Sequence, residues 1–173
     1  MRKFTALLAA GVVLGTSGMA MAQSSTASVT TNATVIAPIA ISQTTSLEFG
    51  TVVKGTAGTV VIATDGTRTD SVAALTPGTQ KGTVRAASFA VAGEGAMTYA
   101  ITLPADNSVV LTTGDGADDT KKMQLASFVS NPSGTGALTA GAQTLLVGAT
   151  MTLDGTEIAG AYTATYAVTV AYN

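Results

Sequence analysis

Every second residue between positions 97 and 103 is apolar: Met97, Tyr99, Ile101 and Leu103 alternate with Thr98, Ala100 and Thr102. The same period returns at 145–153, where Leu145, Val147, Ala149, Met151 and Leu153 alternate with Leu146, Gly148, Thr150 and Thr152. It returns most strongly in GAYTATYAVTVAYN, positions 160–173. There the even positions are Gly160, Tyr162, Ala164, Tyr166, Val168, Val170 and Tyr172, and the odd positions are Ala161, Thr163, Thr165, Ala167, Thr169, Ala171 and Asn173. A period of two puts one face against a core and the other against water, as in antiparallel sheets. The Thr and Val enrichment agrees, because β-branched side chains fit a pleated surface. No segment beyond residue 22 reads as a helix.

Turn signals divide these runs. Asp65-Gly66, Pro77-Gly78, Gly93-Glu94-Gly95, Asp115-Gly116, Asn131-Pro132 and Asp154-Gly155 supply the positive or fixed φ that a reversing chain needs. The pattern predicts strands at 27–36, 38–42, 47–53, 58–64, 83–92, 96–103, 108–113, 121–129, 144–153 and 160–172. In the 83–92 strand Phe89 and Val91 oppose the phase of Val84 and Ala86. Residues 130–143, SNPSGTGALTAGAQ, read as a loop, and no repeat of fixed period is present. Many short strands with Gly-rich turns predict an all-β, antiparallel sandwich of immunoglobulin-like type.

The first 22 residues stand apart. Arg2 and Lys3 precede an apolar run from Phe4 to Gly15, and Ala20-Met21-Ala22 is an A-x-A cleavage site. This is the layout of a signal peptide, so export with a mature start at Gln23 is expected. The run is interrupted by Gly11, Gly15 and Gly18 and is too short to span a bilayer. The expected organisation is a signal at 1–22, an N-terminal arm at 23–36 and one sandwich domain at 37–173.

Removing the signal leaves 6 basic against 10 acidic residues, a net charge of −4. That balance argues against nucleic acid or an anionic membrane as partner. Charged residues make up 10% of the chain, against roughly 25% in typical domains. Such a surface suits a strand-rich extracellular material better than a charged cytosolic enzyme. There is no Cys, so packing or pairing with another chain must supply the stability that export would let disulfides provide. There is also no His and no Trp, which removes the commonest general base and metal ligand.

The remaining candidates for chemistry are weak. GDGADD at 114–119 gathers Asp115, Asp118 and Asp119 in a Gly-rich loop, but lacks the spacing and ligand number that calcium requires. A solvated hairpin tip followed by Lys121 and Lys122 is expected. Glu48 in LEFG points away from its apolar neighbours and reads as an exposed strand position. Asp65, Asp70, Glu94 and Asp154 fall at expected turns, and nothing pairs them as glycosidase carboxylates. Thr165 and Thr169 have no base placed beside them. Asn32-Ala33-Thr34 matches a glycosylation acceptor by pattern alone. No enzymatic activity, cofactor or metal is expected.

The arm also alternates, with Ala27, Val29, Thr31, Ala33 and Val35 on one face. Gly160, alternating apolar residues and a penultimate Tyr172 resemble the C-terminal signature of chaperone–usher pilus subunits. LEFGTVV (47–53) resembles the early L-x-F-G-x-V strand of pilins and of spore-coat-U-like fimbrial domains. The mature chain as a whole resembles a bacterial secreted family, domain of unknown function 4402. The residues that carry this resemblance are IAPIAI (36–41), LEFGTVV, FAVAGEGAMTYAITLP (89–104), LLVGATMTL (145–153) and GAYTATYAVTVAYN.

The pilin resemblance implies a sandwich lacking one strand, held by a periplasmic chaperone during export, delivered to an outer-membrane usher, and completed by the arm of the next subunit. Strand addition of this kind takes affinity from main-chain hydrogen bonds and specificity from alternate side chains in pockets. It implies donor residues Ala27, Val29, Thr31, Ala33 and Val35. The groove and chaperone strand would be Gly160, Tyr162, Ala164, Tyr166, Val168, Val170 and Tyr172. The chain departs from typical pilins in lacking a Cys pair and in placing Thr31 mid-arm. The expected function is a structural subunit of a cell-surface fibre, a homopolymer reached through the periplasm. The alternative is a self-contained secreted or surface-bound binding module.

Overall fold

The computed structural model describes residues 23–71 and 82–173. The signal at 1–22 and the Pro77-Gly78 turn lie outside the described residues. The chain divides into two units, Met1–Thr34 and Val35–Asn173. In the first, residues 23–34 carry no helix or strand and their side chains are exposed. The strand expected at 27–36 is therefore not formed. Its alternation names two faces, but a strand also needs a neighbour to take its backbone hydrogen bonds.

The second unit is all-β, and all its strand pairs are antiparallel. Its strands are β1 (Ala40–Thr45), β2 (Gly58–Ile62), β3 (Arg68–Asp70), β4 (Ala87–Ala92), β5 (Thr98–Thr102), β6 (Val109–Thr112), β7 (Lys122–Asn131), β8 (Thr135–Ala137), β9 (Ala142–Leu153) and β10 (Thr169–Tyr172). The only helical piece among the described residues is a short 3-10 turn, Asp119–Lys121. Two sheets form a sandwich-like arrangement. The larger runs β1-β4-β9-β2-β3 with β7 and β6 joined through β9, and the smaller runs β10-β5-β8.

β9 organises the larger sheet. One edge pairs with β7 along most of its length; the other pairs with β4 over its first half and with β2 over its second. Gly148 sits at the changeover, where a Cβ would lie 2.2 Å from the Ile62 carbonyl oxygen. Glycine is required there because two backbones approach closely. The alternating residues divide between two cores. Ala149, Met151 and Leu153 join Phe49, Val60, Ile62, Val109, Met123 and Leu125 in one, and Leu145 and Val147 join Ala87, Val91, Tyr99 and Leu138 in the other.

β7 changes phase part-way. Met123 and Leu125 face inward, but a bulge between Ala126 and Val129 turns Phe128 inward instead. Ser127 holds φ 49° at this bulge, and its N–H donates to Asp106 Oδ1 at 2.6 Å. The added residue shifts every later side chain by one position.

Several expected boundaries are corrected. The 47–53 strand is reduced to one isolated bridge, Glu48 to Arg85. The 83–92 strand begins only at Ala87, and its conflicting phases meet where Ala86 and Ala87 are both buried. The 130–143 loop contains β8, which pairs with β5. Asp70 lies in β3 rather than in a turn. The 160–172 strand is regular only over Thr169–Tyr172, with one further bridge from Thr163 to Thr112.

Candidate functional site

A groove of about 640 Å³ opens between residues 47–54 and residues 157–162. Leu111, Met123, Met151 and Leu153, from β6, β7 and β9, give it an apolar floor. The first wall follows β1 and is built on Gly50, whose φ of 76° turns the chain away from the sheet. Arg68, on the edge strand β3, holds this wall in place. Its guanidinium donates to the carbonyls of Phe49 at 2.6 Å and Thr51 at 3.0 Å, and pairs with Asp70 at 2.5 Å. The Arg68 and Asp70 side chains are 4% and 5% exposed, so the charges are compensated inside the protein.

Glu48, expected to be exposed, is half-buried. Its carboxylate accepts from Ser46 Oγ at 2.7 Å and faces Arg85 at 3.5 Å, while its backbone exchanges hydrogen bonds with Arg85.

The second wall starts at a turn capped by Glu157, a buried carboxylate. It accepts from the backbone N–H groups of Asp154 at 2.7 Å and Gly155 at 3.0 Å. Tyr162 follows, its hydroxyl set between the carbonyls of Thr120 at 2.8 Å and Ile158 at 3.0 Å. Thr163 then exchanges both backbone hydrogen bonds with Thr112. Sequence reasoning missed Arg68 and Glu157. The usable signals were small: a charge pair two apart in TRTD, and an acid two residues beyond Asp154-Gly155.

From Gly160 to Tyr172 the alternation survives as burial even where regular strand does not. Tyr162, Tyr166, Val168, Val170 and Tyr172 are half-buried against the cores, whereas the odd positions are exposed. Gly160 and Ala164 are also exposed. No backbone hydrogen bond reaches residues 164–168 among the described residues. At the far end the Tyr172 hydroxyl donates to the Ala37 carbonyl at 3.1 Å and accepts from the Glu94 N–H at 2.6 Å. Glu94 Oε2 accepts from the Ala37 N–H at 3.2 Å, which closes a three-cornered clasp.

Tyr166 is different. Its ring stacks tilted on Phe128, centroids 5.3 Å apart, and burial pushes its phenol up to about 12. Its hydroxyl has no hydrogen-bond partner among the described residues, whereas the hydroxyls of Tyr99, Tyr162 and Tyr172 each have one.

The acidic tip is an ion-pair cluster. Asp115 meets Lys121 at 2.6 Å, Asp118 meets it at 3.6 Å, and Asp119 meets Lys122 at 3.3 Å. The Lys121 hydrogen bond holds Asp115 below its ordinary range, and the Thr120 hydroxyl does the same for Asp118. No group of three metal-ligating side chains is found among the described residues. The expected donor residues Ala27, Val29, Thr31, Ala33 and Val35 are exposed and pair with no strand among the described residues, with Val29 at 85% and Val35 at 95%.

The family described as domain of unknown function 4402 matches residues 39–172. The chain belongs to this family. No curated protein and no solved structure matches it. The match includes both groove walls, residues 47–54 on one side and 157–162 on the other, while the arm residues 27–35 precede it.

Proposed function

We propose that the protein is a structural subunit of a bacterial cell-surface fibre, an immunoglobulin-like sandwich polymerised by strand donation. The arm of one copy, with Ala27, Val29, Thr31, Ala33 and Val35 facing inward, lies between the first and last strands of the next. One observation carries this reading: beyond Tyr162, where the apolar groove ends, Tyr166 and Val168 stay half-buried while the backbone of residues 164–168 has no hydrogen bonds among the described residues. Open strand edges of this kind invite pairing with another chain.

Magnitudes support it. A nine-residue arm spans ~30 Å at about 3.3 Å per residue. Burying its two valines, with smaller contributions from the alanines, stabilises the complex by about 4–8 kcal/mol before backbone pairing is counted. In this reading the chain is exported, a periplasmic chaperone occupies the groove in transit, and an outer-membrane usher hands it to the fibre. These last partners rest on the pilin resemblance.

The test is deletion of residues 23–35 from the mature chain. The expected result is loss of SDS-resistant ladders on unboiled gels with unchanged thermal unfolding of the remaining domain. Ladders that persist unchanged would show that the arm is not a donor strand. A full mature chain that stays a monodisperse monomer would sink the fibre reading altogether.

A further inference from the structure

The strand-donation reading leaves open what fixes the register of the arm, since a row of small apolar side chains can slide by two residues with little penalty. Tyr166 and Thr31 supply an answer that rests on that reading. The inward row of the terminal segment runs over the even positions 160–172, and its middle member is Tyr166. The inward row of the arm runs over the odd positions 27–35, and its middle member is Thr31. Centred on one another, the two rows bring Thr31 to Tyr166 whichever direction the arm takes.

The polar groups match as the positions do. Along the terminal row, Tyr162 and Tyr172 spend their hydroxyls on backbone carbonyls of their own chain, and Tyr166 has no such partner among the described residues. Along the arm row, Thr31 carries the only hydroxyl among two alanines and two valines. We propose that the Thr31 hydroxyl of one copy hydrogen-bonds the Tyr166 phenol of the next, directly or through one water, and that this pair sets the register of the donated strand.

A slip of two residues would place Thr31 beside Ala164 or Val168 and leave both hydroxyls covered by the strand without a partner. Unsatisfied buried hydroxyls of this kind are what make polar pairs specific rather than merely adhesive. The Tyr166 ring is already half-buried on Phe128 before any arm arrives, and burial raises its phenol. A row of five apolar residues would not choose among registers.

The test is a double-mutant cycle on the full mature chain, read as the dissociation rate of assembled fibres. Tyr166→Phe and Thr31→Val should each speed dissociation roughly fivefold, the worth of one hydrogen bond. The double variant should return to within about twofold of wild type, since removing both partners leaves no orphan. Thr31→Ser, which keeps the hydroxyl, should stay near wild type. Thermal unfolding of each monomer serves as the folding control. Additive effects in the double variant, or a Tyr166→Phe fibre indistinguishable from wild type, would overturn the register pair while leaving strand donation standing. Fibres that ignore deletion of residues 23–35 would remove strand donation itself, and the pair with it.

Discussion

β9 and the segment from Gly160 to Tyr172 carry the same alternation, yet they have different fates. β9 has strands on both edges, and its residues Leu145 and Val147 are fully buried. The terminal segment has partners along only part of one edge, and its inward residues stop at half-burial. The difference lies in neighbours rather than in pattern. Period two states which face goes inward; it says nothing about how many strands will lie alongside. A strand flanked on both sides is finished, and one flanked on a single side retains capacity to bind.

The sharpest way to break this comparison is to remove the wall opposite the terminal segment. Arg68→Met should cost about 3–5 kcal/mol in denaturant unfolding, because it removes three charge-assisted hydrogen bonds, to Phe49, Thr51 and Asp70. A smaller loss would mean that the wall holds without its guanidinium. Next come matched truncations in the two regions. Leu145→Ala in β9 should cost about 2–5 kcal/mol, the usual range for a buried leucine. Val170→Ala, at a half-buried position, should cost only about 1 kcal/mol. Equal losses would mean that the terminal segment is as enclosed as β9.

Tyr172→Phe opens the clasp without emptying the core, and should cost about 0.5–1.5 kcal/mol for the two exposed hydrogen bonds lost, to Ala37 and from Glu94. In the strand-donation reading, loss of Tyr172 should also lower the exported amount, measured in periplasmic fractions. The remaining effect is a pH dependence. The Tyr166 phenol is raised from its ordinary 10.0 to about 12 by burial, so the folded chain keeps a proton that the unfolded chain loses. Its contribution to stability is complete below pH 10.0 and is lost as pH rises through about 12. Ultraviolet titration should show one phenol ionising near that upper value, absent from Tyr166→Phe. An all-low titration would place the ring in solvent.

Much of the fold was legible because it depends on local rhythm. The inward rows of β5 and β9, the Asp65-Gly66 and Asp154-Gly155 turns, and the all-β class follow from alternation and turn chemistry alone. β3 was not legible, since Arg68-Thr69-Asp70 looks like a charged turn until Asp70 and Arg68 neutralise each other under Phe49 and Thr51. Nor was the interruption of the 47–53 strand, which Gly50 and the Arg68 hydrogen bonds produce jointly. The bulge at Ser127 depends on Asp106, a residue distant in sequence. Along the terminal segment, the inward row was visible but the stretch 164–168 without backbone hydrogen bonds among the described residues was not. Absence of a partner strand leaves no mark on the strand that lacks it.

The clasp of Ala37, Glu94 and Tyr172 makes the sandwich almost a closed loop of chain, with position 37 and position 172 one hydrogen bond apart. Circular permutation is therefore open to this domain. A short glycine linker from Asn173 to Ala37, with new ends cut at the exposed Asp115-Gly116 tip, should preserve every strand pair. Such a molecule would keep its groove and have no arm at Ala37 to offer. In the strand-donation reading it would bind an incoming strand and then stop, a chain terminator made by rewiring alone.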